Sequence, residues 1–455
     1  LGGFVNFEQL ELAVVGAVRL SDASTFDSVT VLSGSNLSLN DSTLTATSIV
    51  LNEGSAFSTD ALTNVFGNGE FAVQVAGMSQ FNNGGLLAAM QSGVSLSGDN
   101  AQFINTGTVE AAFGGVVSTA LNTVLDNSGT IDAGNTAVEL LGDGAQFSNS
   151  GTLLSGFEGV LLSASNSLVL NAGQINSGTN GILVTGGLNN SIVNSGFIES
   201  GSTAISVGNS TDSLISNEGN ISTSADGAHG ILEGSGQGNV VLTSGMISTL
   251  GADADAVFIS ESNTVVENSG VIDTLGDRSG GLSAQGTIDV TLMNTGGIST
   301  AGANAHGISV LGNIEVAGQT VVMNSGMIST TGESADGVNL QASDVLFVNT
   351  GSVTASNGGG VFINAENSTI MNEGEISTLD GNGTAIIVGS VLGEAPQATI
   401  INTGSIASNS TAILGADIVT LLMNEGSITG DVRFSSEADQ FMNTGEVTGA
   451  VSLSG

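Results

Sequence analysis

Few residues in this 455-residue chain have the types and spacing to do chemistry. Asp253 and Asp255 stand one residue apart in "GADADAV". Paired acids of this kind supply the proton donor and the nucleophile or base of a glycosidase. The competing reading is an acidic, solvated turn, and it is the one expected here. His229 and His306 both fall in "AHG", twelve residues after Asn217 and Asn294, and Asp255, Gly280 and Asp336 fall in the same column of the repeat described below. Histidine and aspartate in one column suit a metal ion or an acid–base pair. The two histidines, however, stand three turns apart, roughly 14 Å, and cannot share an ion. A position on a turn surface is therefore expected for both.

Calcium has acidic turns to visit, "GADADA" and "TLGDRSG", but the chain lacks the glycine- and aspartate-rich nonapeptide that holds carbonyls and carboxylates in register. Diffuse cation binding is expected, with no dedicated metal site and no cofactor. Thr223, Thr249, Thr274, Thr300, Thr330 and Thr378 recur at one place in the repeat. A flat, exposed threonine ladder can order water and bind ice. Their even spacing from an apolar column instead predicts that they point inward or into the turn.

Composition narrows the chemistry further. Lysine, tryptophan and tyrosine are absent, and the only basic residues are Arg19, Arg278 and Arg433, far apart in sequence. A polysaccharide lyase needs a basic group near its anionic sugar, and sugar clefts commonly offer aromatic platforms; this chain has little of either. The formal charge of −39 repels phosphate, which excludes nucleic acid and anionic lipid as partners. The same charge attracts cations and suits a salty medium, such as a marine or other extracellular setting. Cysteine is absent, which fits passage through an oxidising compartment without disulfides. The opening "LGGFVNFEQLELAVVG" does not read as a signal peptide, and no stretch approaches the roughly 20 apolar residues of a membrane span. If the protein is exported, its signal and other parts are expected outside this sequence.

The elements that position these residues come from a repeat. Asn-x-Gly recurs at Asn52, Asn82, Asn105, Asn127, Asn149, Asn171, Asn194 and Asn217, then at Asn268, Asn294, Asn324, Asn349, Asn372, Asn402, Asn424 and Asn443. "TSGMI" adds a copy with Thr243 in the asparagine's place, and the mean step is about 24 residues. Periods of 20 to 50 residues mark a solenoid, in which each unit buries its apolar side only by stacking on its neighbours. Four places after the asparagine stand β-branched residues such as Val109, Ile131, Ile175, Ile298 and Ile376; two places before it stand Phe103, Leu125, Phe147, Val169 and Val322. Even spacing puts both columns on one face of extended chain, the inward one. A further apolar pair follows about ten residues later, in "TAVELL", "NGILVT" and "DGVNLQ". Helical periodicity is missing and glycine, at 68 residues, is too frequent for helices.

These patterns predict an all-β fold: a right-handed parallel β-helix with about three short strands per turn, 22–25 residues per turn and 17 or more turns. At about 4.8 Å per turn that is a rod of about 80 Å. The fourteen asparagines from Asn105 to Asn443 are expected to form a ladder at a bend, their amides stacked and hydrogen-bonded along the axis, with the glycine two places on permitting the turn's backbone geometry. Glu53, Glu218, Glu373 and Glu425 follow ladder positions but never in adjacent copies. Adjacent like charges would repel by about 0.9 kcal/mol even in water. Residues 1–50 read as degenerate first turns or a cap, and 51–455 as one continuous solenoid. Extra residues in the middle turns, as in "DTLGDRSGG" and "STTGESADGV", fall on one side, where solenoids often touch other molecules. The strand-like "VTGAVSLSG" at the end carries nothing to blunt an open edge, so end-to-end self-association, or continuation of the solenoid by residues outside this sequence, is expected.

"FVNFEQLEL", followed by the "N-[STE]-G-x-[IV]" turns, resembles the passenger regions of bacterial autotransporters and filamentous-haemagglutinin-like adhesins. The resemblance is one of repeat style and covers essentially the whole chain. It implies a β-helix carried across the outer membrane and displayed on the cell or released. The expected function is a non-enzymatic extracellular structural protein: an adhesin stalk or filament subunit that meets a surface receptor or glycan. A carbohydrate-active β-helix is the alternative, and an ice-binding solenoid a lesser one.

Overall fold

In the computed structural model the described residues are 7–13, 17–20, 22–287, 289–312, 318–379, 381–389, 397–434 and 438–453; the side chain of Arg19, the first six residues and Pro396 lie outside them. The described chain is all-β, without a helix, and forms a parallel β-solenoid of about 18 turns with about three strands per turn. It divides into two compact units, Leu1–Leu214 and Ile215–Gly455.

A turn of the first unit shows why the sequence takes this form. Gln102–Asn105 is followed by Thr108–Ala111 and Val116–Ser118. Each strand is only three or four residues long, with two inward side chains. Such a strand is marginal alone, and it is held by pairing in parallel with its counterparts in the turns before and after. Asn105 stands opposite Asn127, Val109 opposite Ile131, and Val116 opposite Val138, so like residues stack on like. The two inward columns are fully buried: Phe103, Leu125, Phe147, Val169 and Ile192 on one wall, Val109, Ile131, Leu153, Ile175 and Ile198 on another. Each such side chain contributes roughly 1.5–3 kcal/mol by leaving water. Phe57, Phe81 and Phe103 stack face to face in consecutive turns, with ring centroids 4.8 and 5.2 Å apart. Regular turns begin early. Phe7–Leu12 pairs with Ser24–Val31, and Ala17–Leu20 with Asn36–Leu39, in shorter turns than those that follow.

The second unit repeats the plan with longer corners. Val265–Asn268 pairs with Thr291–Asn294, Val271–Thr274 with Gly297–Thr300, and Val257–Ile259 with Leu282–Gln285. The threonine column is buried here. Thr223, Thr249, Thr274, Thr300 and Thr330 each donate a hydroxyl to the carbonyl five residues on, respectively Ala228, Ala254, Ser279, Ala305 and Ala335. These hydroxyls close the corner from inside and cannot present themselves to water or ice.

Corners leave backbone amides without a strand partner, and acidic side chains take many of them. Asp99 accepts the amide of Leu121 and Asp143 that of Ser165 in the first unit. In the second unit Asp226 accepts from Ala252, Asp277 from Ala303 and Asp289 from Gln319. Part of the chain's acidity thus does structural service, because a carboxylate on an amide is a strong, charge-assisted hydrogen bond.

Candidate functional site

The asparagine corner is built from three sets of bonds. Asn105 closes its strand with the side chain turned inward, fully buried. Its Nδ2 donates to Oδ1 of Asn127 at 2.7 Å, and also to the carbonyl of Thr130 in the next turn and to that of Gly107 in its own. Its main-chain carbonyl accepts two amides from the next turn, those of Ser128 and Gly129. In the first unit the stack runs Asn83, Asn105, Asn127, Asn149, Asn171, Asn194, each amide 2.7–2.8 Å from the next. In the second it runs Asn268, Asn294, Asn324, Asn349, Asn372, Asn402, Asn424, Asn443 at the same spacing. Asn217, also fully buried, donates to the carbonyl of Gly219.

Thr243 interrupts the second stack. It stands opposite Asn268, its hydroxyl is buried with no hydrogen-bond partner, and the Oδ1 that Asn268 would offer a preceding asparagine accepts the amide of Gly270 instead.

Two sequence assignments change. In "FNNGG" the ladder residue is Asn83, opposite Asn105, and Asn82 is the alternate residue on the same strand. Both asparagines have a glycine two places on, so the motif alone did not separate them; the buried partner Phe81, two places before Asn83, does. Asn52 belongs to a different corner, after Thr43–Leu51, where its amide donates to Val31. The ladder column one turn before Asn83 holds Thr59, which donates to Asn83 Oδ1 at 3.0 Å.

The role of the glycine also changes. The ladder glycines are not in the left-handed region. They are needed for closeness: a Cβ on Gly129 would lie 1.9 Å from the carbonyl oxygen of Gly107, and one on Gly151 2.0 Å from that of Gly129. Left-handed backbone occurs elsewhere, at Asn100, Asn122 and Asn166 in one corner and at Asp253, Arg278 and Asn304 in another.

The groups with chemical potential gather in the second unit, around a groove of ≈ 460 Å³ lined by His229, Asp253, Asp255, Phe258, Arg278 and His306 among others. Asp253 is exposed and gripped at both oxygens by Arg278, which holds its carboxyl below the usual range. Asp255, by contrast, is only 8% exposed. It accepts the amide of Gly280 and the hydroxyl of Ser283, yet burial dominates and raises its pKa to about 7. The solvated turn expected for both acids therefore holds for Asp253 alone.

Both histidines are largely buried as well, rather than lying on a turn surface. His229 Nδ1 accepts the amide of Asp255 at 3.0 Å, its ring stacks on Phe258, and its Nδ1 is 3.8 Å from the Asp255 carboxyl. His306 Nδ1 accepts the amide of Asp336 at 3.0 Å, 3.5 Å from the Asp336 carboxyl. Asp336 in turn accepts the amide of Gly359. The sequence His, Asp, Gly over three successive turns is thus written twice as one hydrogen-bonded relay. Burial lowers the pKa of both imidazoles, against the pull of Asp253 on His229 and of Asp336 on His306. A neutral Nδ1 acceptor is what the bonded amide requires.

Sequence reasoning missed a third cluster. Glu233 occupies an inward place of the strand Ile231–Gln237, opposite Ile259, and is fully buried beside Glu261, Asn239 and Thr264. The signal was present: aligned turns carry Val184, Ile259 and Val310 where "GILEG" has Glu233. Among the described residues no group of three or more His, Asp or Glu is placed to hold a metal ion, and no helix is long and apolar enough to cross a membrane. No protein-family model, curated protein or solved structure matches the chain.

Proposed function

We propose that this is a non-catalytic extracellular structural protein, displayed at a bacterial surface as an adhesin stalk or filament subunit in the manner of the autotransporter passengers and filamentous-haemagglutinin-like adhesins it resembles. One observation carries the reading: the residues that recur turn after turn are spent on stacking. The asparagine, its glycine and the corner aspartates all bond to the neighbouring turn, and the inward threonine closes the corner of its own. The His–Asp–Gly relays fit the same account, since each imidazole serves a backbone amide. What varies from turn to turn is corner length and outward side chains, which are what a receptor or glycan would meet. Protease shaving of intact cells that make the full reading frame tests this reading. Release of solenoid fragments from unbroken cells supports display, and protection of the chain until lysis refutes it.

A carbohydrate-active groove is the second reading, favoured by one observation. Asp255, raised to about 7, and Asp253, held ionised by Arg278, lie in one groove with their pKa values pushed apart, as the acid and the base of a hydrolase require. Against it stands the occupation of both carboxyls. Asp253 is bound at both oxygens by Arg278, and Asp255 is largely buried on Gly280 and Ser283.

A further inference from the structure

The cluster at Glu233 has no place in the stacking account. Its two carboxyl groups are in hydrogen-bonding contact with each other inside the solenoid. Asn239 Nδ2 donates to one oxygen of each, 3.0 Å to Glu233 Oε2 and 2.8 Å to Glu261 Oε1, and Thr264 adds its hydroxyl to Glu261 Oε1. Glu233 Oε1 and Glu261 Oε2 are left buried without a donor. Two ionised carboxylates in contact would repel in a medium that screens poorly and would leave both oxygens unsatisfied. A proton held on the pair removes one charge and supplies the missing O–H donor.

We propose that Glu233 and Glu261 share one proton in the interior, and that its loss opens residues 231–264: a latch closed by a proton and released by alkali. The surroundings isolate the pair. Among the described residues Glu261 is the one charged group acting on Glu233, and the remaining partners of the two carboxyls, Asn239 and Thr264, are neutral. At the same corner one turn on, Asp289 gives its carboxylate to the amide of Gln319. His229, Asp253, Asp255 and Arg278 precede the strands concerned and line the groove described above. Burial, with repulsion from Glu261, raises the Glu233 pKa well above the ordinary carboxyl value. A group whose pKa is raised by folding contributes stability that is present at low pH and is lost as pH climbs through the folded value. The window therefore opens above the ordinary carboxyl range, opposite in direction to acid unfolding.

Amide hydrogen exchange of the full 455-residue chain, resolved over residues 231–264 and followed from pH 5 to pH 9 with and without calcium, tests the latch. Exchange itself speeds about tenfold per pH unit, and an opening that releases one proton adds a further factor of about ten per unit. Wild type should therefore gain about a hundredfold per unit within the window. Glu233→Gln, which supplies a permanent donor in place of the proton, should gain about tenfold, as should a reference segment in the first unit. Infrared spectra at neutral pH of wild type minus Glu233→Gln, and of wild type minus Glu261→Gln, should each carry a protonated-carboxyl C=O band, the contribution of Asp255, with its pKa of about 7, cancelling in the difference. The band comparison decides the matter if either variant folds poorly. Equal pH slopes in wild type and Glu233→Gln would overturn the proposal. So would a missing band, or a steep slope that calcium abolishes while the band disappears, which would assign a metal ion to the pair.

Discussion

Replacing Thr243 by asparagine should stabilise the protein, although it puts a polar side chain into a buried position. The substitution extends a stack that Thr243 interrupts. Asn217 lies one turn before and Asn268 one turn after, both fully buried and spaced for asparagine. Two amide bonds of about 1 kcal/mol each are gained, and a buried hydroxyl that now costs about 1 kcal/mol or more is removed. Fixing the extra rotamer of asparagine takes back about 1 kcal/mol. The net is about 2 kcal/mol, or roughly a thirtyfold decrease in local opening. Local exchange is the proper assay because long repeat arrays depart from two-state melting. Exchange at the amides of Ser244, Gly245 and Met246 should slow by that factor. Asn349→Thr should accelerate the equivalent amides, since it breaks the 2.8 Å bonds to Asn324 and Asn372. If Thr243→Asn leaves exchange unchanged or faster while Asn349→Thr is harmless, the stacked amides do not hold the turns together.

Gly151→Ala should cost at least about 3 kcal/mol or prevent folding of its unit, because the new methyl would sit 2.0 Å from a backbone oxygen that cannot move without parting two turns. Gly297→Ala, with nothing within 4 Å of its Cβ, should be neutral or slightly stabilising; the melting temperatures of the two variants check the contrast. The histidine relays predict an acid limb. Folding lowers the pKa of His229 and His306, so their contribution is present above the ordinary histidine value near 6.5 and is lost as pH falls below it. Thermal scans from pH 8 to pH 4 should show a shallower decline in the His229→Gln, His306→Gln double variant than in wild type. Asp255 acts in the other direction. Its pKa is raised to about 7, so Asp255→Asn should reduce the loss of stability between about pH 4 and pH 7.

The strands were legible because their signal is a column rather than a window. A four-residue segment such as "QFIN" says little alone, but Phe103 two places before Asn105 and Val109 four places after it recur until only an extended, stacked chain fits. The threonine column was read correctly for the same reason: an even step from an inward isoleucine fixes the face. What the columns did not carry was depth and closeness. The ladder glycine looks like a turn residue in sequence, whereas the structure needs it for a contact between turns. Asp255 and Asp253 are both acids in an acidic segment. One is buried and reaches an amide of the following turn, and the other is exposed at the corner, paired with Arg278. The Glu233–Glu261 pair joins residues 28 positions apart on adjacent turns, which no local pattern reports.

Binding separated from turnover is the measurement that bears most directly on the central claim that this solenoid is a displayed scaffold and not an enzyme. The purified chain and its Asp255→Asn variant would be passed over immobilised glycans and matrix proteins, with retention and the release of cleaved sugar recorded together. Saturable retention, equal in the two proteins and without product, is the expected result. Steady release of sugar fragments by the wild type, abolished in Asp255→Asn, would contradict it.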